Sequence, residues 1–121
     1  MPQDNVNQEA FNVMVNHLRD QGEKSLAEPD SAASSCLYRA PNGNKCAVGC
    51  LIDDDQYRDE IEGMGADDIP VLNAIEASGW KGVSIHLLDA MQNCHDTLHP
   101  SDWEERFLHI AGQYELTLPV K

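Results

Sequence analysis

Apolar residues in this chain recur mostly at the spacing of a helix, and that rhythm limits what it can fold into. Phe11, Met14, Val15 and Leu18 stand at i, i+3, i+4 and i+7, which predicts a helix over 7–21 with one buried face. Asn5 or Asn7 can cap it, and Gly22 offers a left-handed stop. Two further stripes follow. Val83, Leu87, Leu88, Met91, Cys94 and His95 predict a helix over 83–96. Trp103, Phe107, Ile110, Ala111 and Tyr114 predict another after Pro100, opened by the capping box Ser101-x-x-Glu104. Between them, 68–78 reads as a shorter helix, with Pro70 in its first turn, Leu72 and Ile75 inward and Gly79 as its stop.

Strand signals are fewer and shorter. Residues 36–39 can be a strand before the turn signal Pro41-Asn42-Gly43, and "KCAVGCLI" then either completes a hairpin or forms a short helix. In the helical reading, Gly49 lets another element approach closely. The tail "ELTLPV" alternates Leu116, Leu118 and Val120, as an edge strand beside 36–39 would. The expected fold class is therefore α+β, mainly α. It is a compact four- to five-helix domain with a small β-hairpin or a short two- to three-stranded sheet. At 121 residues the chain suits one domain, 1–121, with 22–35, "GEKSLAEPDSAASS", as a mobile loop.

Charge is the unusual quantity. Twenty-one acids against eight bases leave a net −13, which excludes direct nucleic-acid binding and an anionic membrane surface as partners. Residues 53–68, "DDDQYRDEIEGMGADD", carry eight of those acids and one base. The candidate partner-binding residues are Asp53, Asp54, Asp55, Tyr57, Asp59, Glu60, Glu62, Asp67 and Asp68, with Tyr57, Ile61 and Met64 as apolar anchors. Eight carboxylates match the phosphates of about four base pairs, so this face can mimic nucleic acid before a basic groove. The plainer reading is that the run only keeps the domain soluble.

The other chemistry-bearing groups are four cysteines and a few histidines. Zinc sites usually show two close ligand pairs, whereas here Cys36-x9-Cys46-x3-Cys50 is followed by Cys94-His95-x3-His99. On a strand Cys46 and Cys50 are about 13 Å apart and cannot share a metal. On a helix they are about 6 Å apart and can. A zinc-binding domain using Cys36, Cys46, Cys50 and His95 is therefore the alternative function, and packed, reduced thiols are the expected state. No catalytic motif occurs, so no enzyme is expected and no cofactor is called for. A small enzyme of unknown substrate remains a second alternative, with His95 its least implausible catalytic group. The opening "MPQDNVNQEAF" lacks a positive start and an apolar stretch, so a cytoplasmic protein is expected.

The combination "HLRDQGEKS…CLYRAPNGNKCAVGCLIDDDQYRDEIEG…LLDAMQNCHD…W…F…IAGQYEL", from His17 to Leu116, resembles a group of small proteins of unknown function encoded in tailed-phage and prophage genomes. Asp53 follows "CLI" where that group would have a proline. The resemblance brings no catalytic residue or cofactor. It implies a phage accessory protein in the host cytoplasm that acts by binding a host protein, one with a basic nucleic-acid-binding surface being the best fit. Apolar stripes on at least three helices also leave a homodimer open.

Overall fold

The computed structural model describes residues 2–27 and 36–120. Three longer helices and one short one build the core. α1 spans Pro2–Gln21, α2 Ile69–Ile75, α3 Ile85–Thr97 and α4 Trp103–Gln113. Single 3₁₀ turns lie at Gly49–Leu51, Asp59–Ile61 and Pro100–Asp102, and a widened turn, Glu76–Trp80, ends α2 at Gly79 with φ 100°.

The apolar stripes face one another. Ala10, Phe11, Met14, Val15 and Leu18 of α1 are fully buried, as are Leu87, Met91 and Cys94 of α3 and Phe107 of α4. Each Phe, Leu or Met removed from water contributes about 2 kcal/mol, and this burial holds helices of marginal intrinsic stability in place. α1 packs against α3 and against the Gly49–Leu51 turn, and α3 packs against α4.

Local chemistry moves the helix ends. α1 starts at Pro2, where a missing N–H costs nothing. Asn7 does not cap it. Its Oδ1 instead accepts the Ser84 N–H at 2.8 Å, tying α1 to the start of α3. Gly22, at φ 71°, closes α1 by donating to Leu18 O at 2.8 Å. The Ser101 capping box gives way to the Pro100–Asp102 turn, where the Ser101 N–H donates to His99 Nδ1. Glu104 instead holds Arg19 of α1 in a two-point ion pair, at 2.7 and 2.8 Å.

The expected β component is absent: the described residues contain no strand, hairpin or sheet, and the fold is helical. Two isolated bridges, Leu26 with Cys36 and Arg39 with Lys45, are all that pairs. The turn itself forms, with Gly43 N–H donating to Ala40 O and Ala40 N–H to Asn44 O. It does not propagate, for two reasons. The Tyr38 and Arg39 N–H groups donate to the Glu62 carboxylate, at 2.8 and 3.1 Å, instead of to a neighbouring strand. Beyond Cys46 the chain coils, with Cys50 N–H donating back to Cys46 O.

The tail makes no edge strand either. Gln8 reads Thr117 like a backbone, donating to its O and accepting its N–H, both at 2.8 Å, and Arg19 donates to Pro119 O. Of the expected loop over 22–35, residues 28–35 lie outside the described residues. Ser25 ties down the described part by accepting the Leu37 N–H and donating to Asn44 O. Among the described residues no helix is long and apolar enough to cross a membrane.

Candidate functional site

Two places bring chemistry-bearing side chains together: a thiol corner that opens into a cleft, and the acidic segment. The corner forms where Cys36 meets the last turns of α3, and the ligand atoms of Cys36, His95 and Asp96 lie within 4.8 Å of one another. His95 is fully buried and stacks on Trp103, ring centroids 5.7 Å apart. Its Nε2 accepts the buried Ser25 N–H at 3.0 Å, so the ring proton sits on Nδ1 and is donated to Asp96 Oδ1 at 2.8 Å. Gln92 Nε2 donates to the same oxygen at 2.8 Å.

This wiring is not that of a nucleophile and its base. In such an array the thiol hands its proton to the imidazole, and the carboxylate orients the imidazole from behind. Here the His95 ring donates to Asp96, and the Cys36 thiol lies beside that same carboxylate. Burial first, and the Asp96 charge second, push the Cys36 thiol up to about 11, so it is not a thiolate at neutral pH.

The same geometry bears on metal binding. Of the set Cys36, Cys46, Cys50 and His95, only Cys36 and His95 share the corner. Cys46 is fully buried and accepts the Gly49 N–H at 3.2 Å, while Cys50 donates to Ala47 O at 3.0 Å. A metal-ligating histidine normally keeps a proton on its other nitrogen and donates it to an oxygen. His95 cannot do so, because its other nitrogen faces an N–H. A metal on Nδ1 would require an imidazolate or the loss of the Ser25 bond. Cobalt(II) added to reduced protein is therefore expected to give no thiolate charge-transfer band at stoichiometric metal, and a saturable band that disappears in Cys36→Ser would contradict this.

The thiols also set an alkaline limit. Burial raises Cys94 to about 11 and Cys50 to about 12, and lifts Cys46 well above an ordinary thiol. A raised thiol binds its proton more tightly folded than unfolded. Its contribution is whole below the unfolded value near 9 and drains as pH climbs toward 11 and 12. The melting temperature of reduced protein is expected to fall steeply above about pH 9.5. A melting temperature unchanged up to about pH 11 would contradict the buried thiols.

The cleft beside the corner has a volume of about 680 Å³. One wall comes from α3, one from α4, and the third from residues 36–38 and the loop 62–66. Its polar groups differ in how fully they are used. Glu62 already accepts from Tyr38 N, Arg39 N and the Tyr57 hydroxyl, and Asp96 from His95 and Gln92.

The acidic segment is held from beneath. Ile61 and Ala66 are buried, so Ile61 serves as a core residue and not as a surface anchor. Tyr57 is half-buried, donates to Glu62 at 2.6 Å and carries the Arg39 guanidinium 4.7 Å above its ring. Glu62 is likewise a structural acceptor. Asp54 pairs with Arg39 at 2.8 Å and reaches Lys45 at 3.8 Å, and Asp68 accepts the Gly65 N–H. Asp53, Asp55, Asp59, Glu60 and Asp67 are exposed and have no cationic partner among the described residues. The sequence reading missed Ile69, which is 72% exposed directly after Asp67 and Asp68. Its position opposite the buried face of Val71, Ala74 and Ile75 is the signal that could have marked it.

No family model, curated protein or solved structure matches this chain.

Proposed function

We propose that this is a binding protein whose acidic segment, 53–68, engages a basic surface on a partner protein. The observation that carries the reading is the set of five exposed, unpaired carboxylates at Asp53, Asp55, Asp59, Glu60 and Asp67. They project from backbone pinned by Glu62, Ile61 and Ala66. Pinned charges lose little conformational entropy on binding. Their mutual repulsion in a chain of net −13 is relieved when a basic partner arrives. Ile69 and Met64 stand exposed beside them and give an apolar contact within the charged rim. The resemblance to phage-encoded proteins makes a host protein the natural partner, and a nucleic-acid-binding groove is a basic surface that carboxylates in such number suit.

The test compares two triple variants with the same change in net charge. Asp55, Asp59 and Glu60 are reversed to Lys in one, and the exposed Glu9, Glu105 and Glu115 in the other. Tagged proteins capture partners from bacterial lysate at low and high salt. A discrete partner is expected with wild type and with the second variant, lost at high salt and lost with the first. Equal capture by both variants would overturn the reading.

A further inference from the structure

The cleft between α3 and α4 retains two charged groups that the fold leaves unused. Asp89 of α3 has no hydrogen bond or ion pair among the described residues, and neither has Arg106 of α4. Both line the cleft, whereas its other acids are already engaged, Glu62 by three donors and Asp96 by two. Two unpaired groups of opposite charge on facing walls of one cleft define the ligand that would bridge them.

We propose that this cleft binds a small zwitterion, an amino acid or a short peptide, with its carboxylate on Arg106 and its ammonium on Asp89. A guanidinium accepts a carboxylate through two parallel N–H bonds, and a free carboxylate is the natural partner of an ammonium. The other charge types fit worse. A dianion would face Glu62, Asp89 and Asp96 in a chain of net −13. A polyamine would be drawn in by that field but would meet Arg106 and leave it unpaired. A net-neutral zwitterion enters without opposing the field and satisfies both ends. The volume of about 680 Å³ admits up to a short peptide, and Tyr114 and Ile110 give its side chain an apolar surface. Burial and the neighbouring Asp67 raise the Asp89 pKa, with His86 acting in the opposite direction. The site shares the loop 62–66 with the acidic segment but uses other charges, those of Asp89 and Arg106, and does not rest on that segment's binding role.

The experiment is a titration of isotope-labelled protein followed by amide NMR shifts. The probes are a panel of single amino acids and dipeptides, with succinate, a dianion, and putrescine, a dication, as controls that carry charge of one sign only. At least one zwitterion is expected to move the amides of Asn93 and Gln113 saturably below about 10 mM. Affinity should fall by about tenfold or more in Arg106→Gln and in Asp89→Asn, both of which alter exposed side chains and should leave the fold intact. The proposal is overturned if no zwitterion shifts these amides. It is equally overturned if the variants bind as wild type does, or if succinate or putrescine binds as well as the best zwitterion.

Discussion

Replacing Gly49 with alanine is expected to cost most of the domain's stability. A Cβ there would lie 2.1 Å from the Tyr38 carbonyl oxygen, 2.9 Å from its carbon and 3.1 Å from its Cα. These are backbone atoms, and they have little freedom to retreat. The Tyr38 N–H and the next one, of Arg39, are bound to Glu62, and the Tyr38 hydroxyl donates to Met64 O. Its ring is buried in the core. Relief of the clash must therefore displace either the Gly49–Leu51 turn from α1 or the 36–40 segment from Glu62. Overpacking of this kind costs about 3 kcal/mol or more, a large share of the roughly 5–15 kcal/mol that holds a domain together. Gly112→Ala is the matched control. Nothing lies within 4 Å of its Cβ position in α4, so it should be neutral or stabilise by up to about 1 kcal/mol. Soluble yield and urea unfolding followed by circular dichroism separate the two. A Gly49→Ala protein that unfolds at the wild-type midpoint would refute the close contact.

That contact also shows what the sequence could and could not convey. The spacing of Phe11 to Leu18, of Leu87 to Cys94 and of Trp103 to Ala111 is local information, and it locates three helices because burial repeats every turn. The path of 45–52 was ambiguous because a short apolar run fits either period. Gly49 resolves it by docking on Tyr38, a contact that no local pattern specifies. The missing hairpin has the same origin. A carboxylate some two dozen residues along the chain occupies the donors a second strand would have taken, and in the sequence Glu62 is only one acid among eight. Likewise Gln8 and Arg19 hold the tail in place of a neighbouring strand. At the candidate sites, the acidic segment was legible as charge but not as geometry, which places Ile61 inside and Ile69 outside. The meeting of Cys36 with His95 and Asp96, and the placing of Asp89 and Arg106 in one cleft, depend on tertiary packing and have no signature in spacing.

Removing the Glu62 carboxylate is expected to produce the second large loss. It accepts from Tyr38 N at 2.8 Å, Arg39 N at 3.1 Å and the Tyr57 hydroxyl at 2.6 Å. Hydrogen bonds to a charged acceptor contribute about 1.5–3 kcal/mol each, and a donor left without one bears its desolvation cost. Tyr38 is buried and cannot turn to water, whereas Tyr57 is half-exposed and can. Glu62→Ala should therefore destabilise by about 3–4 kcal/mol in total. Glu62→Gln keeps one acceptor oxygen but turns an amide N–H₂ toward a donor, and should lose roughly half as much. Glu60→Ala, exposed and unpaired, should stay within about 0.5 kcal/mol of wild type, with relief of like-charge repulsion as its main effect. Urea midpoints with a shared slope measure all three. The order also bears on function. If Glu62→Ala unfolds where Glu60→Ala does, the carboxylate is not what fixes 53–68, and the exposed acids lose the rigid mounting on which the binding proposal rests. If Glu62→Ala unfolds early while Glu60→Ala only weakens partner capture, the segment divides into one acid that builds the face and several that use it.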